Sequence, residues 1–307
     1  MVIKFPVCAV VVTYNRKELL EVCLAALKRQ TTSLDRIYIV DNASTDGTVS
    51  WLRERGWLNL DSPCEVIRLE KNLGGAGGFH EGIKKAYEEG FEQIWLMDDD
   101  GYPADDSLAR LLDYCEEGVC LGSLVLDADK PEQLCFPIRL PRQARPINDL
   151  EDKRLQAFKV LDGVIIPFNG VLLSRALVNL YGYPRSEYFI WGDDMEYVWR
   201  LQANGVRLRT VVEAHFYHPR EASLGTPMAF GFARFNDTPS ELKLYCMSRN
   251  NTANLCHYKG YLAFLFFMSK CLWFYTITQP NRKKLTIALR GIWDGLKRDF
   301  SHHQEFL

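Results

Sequence analysis

Three consecutive carboxylates, Asp98-Asp99-Asp100, follow the apolar run Gln93-Ile94-Trp95-Leu96-Met97. A strand interior cannot keep adjacent unpaired charges. The strand is therefore expected to stop at Met97 and deliver the acids to a sheet edge. On an extended turn, Asp98 and Asp100 can point to one side and share a hard divalent cation. Taken alone, the triplet is equally a solvated acidic turn. A second acidic cluster, Trp191-Gly192-Asp193-Asp194-Met195-Glu196-Tyr197, runs into Val198-Trp199-Arg200-Leu201. Asp193 or Asp194 could cap a helix there, because acids favour helix N-termini. Asp41, at another strand end, could accept hydrogen bonds from a uracil or a ribose, or simply form its turn. Arg16 and Arg68 are candidates for a base or phosphate contact. His215 and His218 lie in Ala214-His215-Phe216-Tyr217-His218-Pro219, which closes a strand read at 207–212.

The elements that must hold these residues alternate in type. Residues 7–12 form a β-branched run. Residues 17–29 show helical spacing, with Leu20, Leu24 and Leu27 on one face. A second strand is read at 36–40, a helix through 51–55, a third strand at 66–69, a helix up to about 89, and then the strand before the acids. Such alternation predicts βαβ units in an α/β fold with a doubly wound, mostly parallel sheet. Each strand ends in a polar loop on the same edge, where open α/β sheets bind ligands. The glycines of Gly74-Gly75-Ala76-Gly77-Gly78-Phe79 do not make a dinucleotide fingerprint, since His80 stands where the third glycine belongs. They fit close backbone approach to a ligand, or tight helix–sheet packing. Residues 127–152 read as an irregular excursion, and regular structure is expected again at 163–166 and 170–180.

The 307 residues carry a formal charge of −2, which argues against a general nucleic-acid binder. The nine cysteines form no CxxC pair. They read as reduced thiols in a reducing compartment, not as disulfides or a zinc site. The first six residues lack the pattern of a secretory leader, so a cytoplasmic location is expected. From Glu241 onward ten Lys/Arg face four Asp/Glu, with an aromatic-rich stretch at 261–278. Lys270, near its middle, counts against a membrane-spanning helix. The basic tail at 241–307 suits peripheral contact with an anionic membrane surface, or packing on this chain or on a second copy in a homo-oligomer.

In order, Thr13-Tyr14-Asn15-Arg16, Val40-Asp41-Asn42-Ala43-Ser44-x-Asp46-Gly47, Asn72-x-Gly74-Gly75-Ala76-Gly77-Gly78-Phe79, the acidic triplet, Trp191-Gly192-Asp193-Asp194-x-Glu196-Tyr197 and His218 resemble the family 2 glycosyltransferases of GT-A fold. Within that family the pattern is most similar to bacterial galactofuranosyl- and rhamnosyltransferases of surface-polysaccharide assembly. The resemblance implies a catalytic domain at 1–240, with a nucleotide-sugar half near 1–125 and an acceptor half near 160–220. Asp98 and Asp100 would bind Mn²⁺ or Mg²⁺ against the donor diphosphate, with His218 as a further ligand and His215 its runner-up. Thr13, Asp41, Arg68, Asn72 and Asp98 would line the nucleotide pocket. Asp194 would be the catalytic base, with Asp193 its nearest rival, and Trp191, Asp193 and Glu196 would bind the acceptor.

The implied reaction transfers galactofuranose from UDP-galactofuranose, with inversion, to a hydroxyl of a glycan acceptor, itself lipid-linked. The O-antigen type of polysaccharide is one expected product, and the enzyme would work at the inner face of the plasma membrane. A dTDP-rhamnose donor is the alternative within the class. A sugar nucleotidyltransferase is a rival from another class, but Thr13-Tyr14-Asn15-Arg16 lacks the glycine-rich loop that such enzymes carry. A catalytically silent binding module is the third reading.

Overall fold

The computed structural model describes residues 5–140, 143, 145–220 and 225–307. The remaining residues of the 127–152 stretch and the first four of the chain, part of the leader reading, lie outside that description. The strands are β1 (Val7–Thr13), β2 (Arg36–Asp41), β3 (Cys64–Arg68), β4 (Gln93–Asp98), β5 (Tyr102–Pro103), β6 (Val119–Asp127), β7 (Gln133–Ile138), β8 (Ile147–Asp149), β9 (Val160–Asp162), β10 (Asn169–Ser174), β11 (Arg207–His218), β12 (Thr226–Met228) and β13 (Ala233–Phe235). The α-helices are α1 (Lys17–Lys28), α2 (Thr48–Glu54), α3 (Gly74–Glu88), α4 (Ser107–Leu112), α5 (Lys153–Gln156), α6 (Arg175–Tyr181), α7 (Asp193–Ala203), α8 (Glu241–Asn254), α9 (Tyr261–Trp273) and α10 (Arg282–Lys297).

The chain divides into two compact units. The first holds Met1–Leu73, Gly78–Tyr183 and Leu201–Arg220; the second holds Gly74–Gly77, Pro184–Arg200 and Glu221–Leu307. Residues 241–307 thus belong to the same unit as the second acidic cluster, and no division falls at 240.

The first unit is built on a mixed sheet in the order β3-β2-β1-β4-β10-β6-β11-β5. Strands β3, β2, β1 and β4 run parallel, and β10 inserts antiparallel between β4 and β6. β1 is buried along its whole length, which explains why Val7–Thr13 shows no polar alternation. The predicted face of α1 closes on it through Leu20, Leu24 and Leu27. Register aligns the carboxyl edge: Thr13 lies opposite Asp41, Asp41 opposite Arg68, and Val12 opposite Asp98.

Three local expectations are corrected. β4 continues one residue past Met97, to Asp98. The 127–152 stretch contains β7 and β8, whose Leu134, Ile138 and Ile147 bury in a side core with Leu124 and Leu126. Residues 163–166 form the turn between β9 and β10 rather than a strand. In addition, β11 outruns the predicted 207–212 because a bulge between Val211 and His215 re-registers it, so that His218 pairs with Asp127.

In the second unit, α8 and α10 pack through Tyr245, Ile287, Ala288 and Ile292. Gly291 and Gly295 let the backbones meet: a Cβ at Gly291 would lie 2.7 Å from the Tyr245 carbonyl oxygen. α9 and the π-helical turn after it, Tyr261–Thr278, form one helix long and apolar enough to cross a membrane. Half of its residues are exposed, and Lys270 lies within it.

Candidate active site

In the first unit the three acids separate by function. Asp98 closes β4 on the aligned edge. Asp99, only 3% exposed, turns inward and accepts from the Thr13 hydroxyl at 2.6 Å. Arg16 Nη1 reaches Asp99 at 3.4 Å and Asp100 at 2.8 Å. Burial pushes the Asp99 carboxyl up to about 6, against the pull of Thr13 and Arg16. The middle acid, to which the sequence reading gave no role, ties the end of β1 to the end of β4.

Asp100 Oδ1 faces His218 Nε2 at 3.4 Å. It is buried and has no hydrogen-bond partner among the described residues. The other imidazole nitrogen, Nδ1, sits 2.8 Å from the Pro219 carbonyl and 3.7 Å from Cys135 Sγ. Donation from Nδ1 to that carbonyl leaves Nε2 as the nitrogen aimed at Asp100. Burial opposes charging of His218, but the Asp100 carboxylate outweighs it and pushes the imidazole up to about 10. In return, His218 and Arg16 hold Asp100 below its ordinary value despite burial. For His215, burial dominates and lowers the imidazole, with Asp106 and Glu213 as its neighbouring acids. Among the described residues no three His, Cys, Asp or Glu side chains form a ready-made metal cluster. An orphaned carboxylate oxygen beside an oriented imidazole nitrogen nevertheless suits one divalent cation whose other ligands come from a donor.

Asp41 is 1% exposed. Its Oδ1 accepts from Ser44 N at 3.0 Å. Its Oδ2 is buried without a hydrogen bond among the described residues and lies 3.8 Å from Arg68 Nε. Two residues expected in a nucleotide pocket therefore meet in one row, and an unsatisfied acceptor lies between them. Asn72 stands in the loop after β3, where its neighbour Leu73 donates to Asn42 at 2.8 Å. The glycine stretch serves packing at Gly78 and Gly82, where a Cβ would lie 2.5 Å from Val12 and 2.4 Å from Val10.

In the second unit, Asp193 and Asp194 open α7. Asp193 is 6% exposed, and burial together with the adjacent Asp194 raises it. Asp194 remains partly exposed, accepts from Met195 N at 2.6 Å, and is also raised by burial. Of the two residues, Asp194 is the more exposed. Glu196, 1% exposed, is held by Arg200, by Arg185 Nε at 3.2 Å and by the Tyr258 hydroxyl at 2.8 Å. The acid expected to meet an acceptor is thus the centre of a buried ion cluster.

Trp191 sits in a loop whose carbonyls are collected by α8. Asn250 Nδ2 lies 3.0 Å from the Tyr188 oxygen, 3.0 Å from that of Ile190 and 2.8 Å from that of Trp191. Sequence reading missed Asn250. α8 is polar around most of its circumference, which normally marks a solvated helix. All nine cysteines are free thiols.

The glycosyl transferase family 2 domain matches residues 8–165. Galactofuranosyltransferase GlfT1 of Mycolicibacterium smegmatis is 32% identical over 284 residues, covering 91% of this chain and 85% of the relative. A crystal structure of GalNAc-T7 with UDP, GalNAc and Mn²⁺ superposes with a TM-score of 0.60 at 15% identity, covering 98% of this chain and 55% of that one. A TarS 1–349 structure from S. aureus, in complex with UDP-GlcNAc, gives 0.59 at 14% identity, covering 95% of this chain and 81% of that one. The mixed sheet with flanking helices is the fold those neighbours share. The chain belongs to glycosyl transferase family 2 and is a glycosyltransferase.

Proposed function

We propose that this glycosyltransferase moves galactofuranose from UDP-galactofuranose to a hydroxyl of a lipid-linked glycan acceptor in cell-surface polysaccharide assembly, with inversion and with help from Mn²⁺ or Mg²⁺. The observation that carries the donor is the 32% identity, over nine-tenths of the chain, to a relative named galactofuranosyltransferase. The buried, unsatisfied Oδ2 of Asp41 beside Arg68 supports a nucleotide at the sheet edge, together with Thr13 and Asn72.

Asp98, Asp100 and His218 would hold the cation, with Asp98 also on the donor side. When bound, the ion would offset the negative charge that the leaving diphosphate gathers. Asp194 takes the proton from the acceptor hydroxyl as that oxygen attacks the anomeric carbon, and UDP leaves with the bonding pair. One base and no covalent partner make a single displacement, hence inversion. Burial raises the Asp194 carboxyl above the ordinary aspartate range, which makes it a stronger base than an exposed aspartate. Trp191, Asp193 and the Glu196 cluster would shape the acceptor side.

The tail favours peripheral attachment to an anionic, cytoplasmic bilayer face over a homo-oligomer contact. Leu262 and Phe266 on α9 are 84% and 64% exposed. Lysines lie beside exposed aromatics, Lys270 at 5.9 Å from Phe266 and Lys297 at 4.5 Å from Trp293. Apolar rings flanked by cations suit the headgroup region. Co-sedimentation with phosphatidylglycerol vesicles tests this, and sedimentation velocity without lipid tests the oligomer.

Calorimetric titration with UDP-galactofuranose, with and without Mn²⁺, followed by turnover with octyl β-galactofuranoside and octyl rhamnoside, tests the reaction. Metal-dependent binding and a mass gain of one hexose support it. Transfer from dTDP-rhamnose alone would overturn the donor.

A further inference from the structure

Arg249 is 0% exposed, yet among the described residues no carboxylate is one of its hydrogen-bond partners. Its Nε donates to Asn250 Oδ1 at 2.9 Å and its Nη1 to the Phe300 carbonyl at 3.1 Å. Its Nη2 reaches the Tyr188 carbonyl at 2.8 Å and that of Glu187 at 3.4 Å. The rings of Phe300 and Tyr245 lie 4.9 and 5.4 Å from the guanidinium carbon. A desolvated cation served by neutral acceptors alone is a costly thing to fold. Stability by itself would favour an apolar side chain here.

What Arg249 supplies is direction. Its planar fork fixes Asn250 with Oδ1 towards the guanidinium, so Nδ2 must face away. That nitrogen then gathers the carbonyls of Tyr188, Ile190 and Trp191. One turn later, Asn254 Nδ2 holds the Gly192 carbonyl at 2.8 Å while its Oδ1 accepts from the Tyr188 hydroxyl at 2.7 Å. The Phe189 carbonyl is taken by Ala76 N at 3.1 Å, and a Cβ at Gly74 would lie 1.9 Å from that oxygen. Every carbonyl from Glu187 to Gly192 thus has a donor.

The loop needs this restraint. Phe189 has φ 64° and ψ −68°, and Trp191 has φ 69°. Bulky residues occupy this region only where their surroundings impose it. The next residues are Asp193 and Asp194.

We infer that Arg249, Asn250 and Asn254 are positioning residues: a clamp on α8 that sets the loop 187–192 and, through it, the Asp194 carboxylate for proton abstraction. This rests on the reading of Asp194 as the base.

The test uses the full chain with Mn²⁺, UDP-galactofuranose and whichever octyl glycoside the wild type extends. Asn250→Ala, Asn254→Ser, Asp194→Asn and the double variant Asp194→Asn/Asn250→Ala are compared by circular dichroism, UDP calorimetry and pH profiles of kcat. Asn250→Ala should keep UDP affinity within about twofold and lose about 100-fold in kcat, the size expected for a reacting group misplaced by about 1 Å. Asn254→Ser should lose about tenfold by the same argument. Both should move the acid limb of the profile, which a purely structural role leaves in place. The double variant should be no slower than Asp194→Asn, because the clamp acts through the base.

Wild-type kcat and pH profile in folded Asn250→Ala and Asn254→Ser would overturn the clamp. So would a double variant that loses both factors independently. If Asn250→Ala does not fold, Asn254→Ser decides by the same readouts. Full activity in Asp194→Asn alone would overturn the base itself and, with it, the clamp's task; that outcome is visible without either asparagine variant.

Discussion

At the scale of single residues, adjacent acids differ in their surroundings. Asp99 meets Thr13 and Arg16, while Asp100 faces His218 with a spare oxygen. Asp100→Asn and His218→Gln should each abolish Mn²⁺ stimulation of turnover; retained stimulation would move the metal site elsewhere. The same pair makes a pH prediction for the metal-stripped protein. The imidazole is raised from 6.5 to about 10, so its contribution is whole below 6.5, shrinks as pH rises, and is gone above about 10. Asp100 is lowered, so its contribution holds above the ordinary value of 3.8 and is lost in acid. The drop in Tm caused by His218→Gln in EDTA should therefore be largest between these two ordinary values and vanish near pH 10. Thermal scans at pH 6 and pH 10 check it. Residue types were legible in the sequence; their partners were not. An acidic triplet states that three carboxylates are present, but only tertiary register tells which one meets a histidine 118 positions later.

At the scale of elements, the alternating first hundred residues were readable because β1 is buried along its whole length and α1 shows a clean apolar stripe. β7 and β8 were not, because they are short strands in a stretch rich in Pro and charge, and they owe their place to pairing, β7 with the long β6 and β8 with β7, rather than to their own pattern. The glycine stretch 74–78 admitted two readings, and packing wins at Gly78; Gly82, one turn further along α3, is packed as tightly. Gly82→Ala should cost about 1–3 kcal/mol by overpacking against Val10 and Val40. Adding Val10→Ala should return part of that loss; a chemical-denaturation series on the two variants measures both. The acceptor role expected of Glu196 came from the family resemblance; the ion cluster around it was not legible, because its partners, Arg185 and Tyr258, are remote in sequence. Glu196→Ala strands two arginines and should destabilise the protein by about 3 kcal/mol, the usual cost of breaking a buried pair. An unchanged denaturation midpoint would count against that.

At the scale of the whole molecule, composition identified a basic, aromatic C-terminal region but not where it belongs. Lys283 and Lys284, conspicuous in sequence, are already paired with Glu241 and Asp237. The charges left beside exposed rings are Lys270 and Lys297. Lys270→Gln with Lys297→Gln should weaken binding to phosphatidylglycerol vesicles by up to about 1 kcal/mol per charge, while Lys283→Gln should change it less. α8 was hidden for a different reason. Its polar residues serve backbone carbonyls 60 positions away, which no local pattern encodes. A chain cut after Ser240 would look like a trimmed catalytic domain, yet it removes the donors of the 187–192 loop and the core around Tyr245 and Phe274. Such a truncation should bind UDP poorly or precipitate, and should show no transfer.

The second unit draws on chain segments that are far apart in time as well as in sequence. Residues 74–77 and 184–200 leave the ribosome early, but the guanidinium that steadies them also needs the carbonyl of Phe300. Domains close as their pieces emerge, and this one is incomplete until synthesis has passed residue 300. A nascent chain long enough to display all the carboxylates discussed above would still be inert. Catalytic competence is therefore acquired late in translation, after the exposed apolar helix of residues 261–278 has been made.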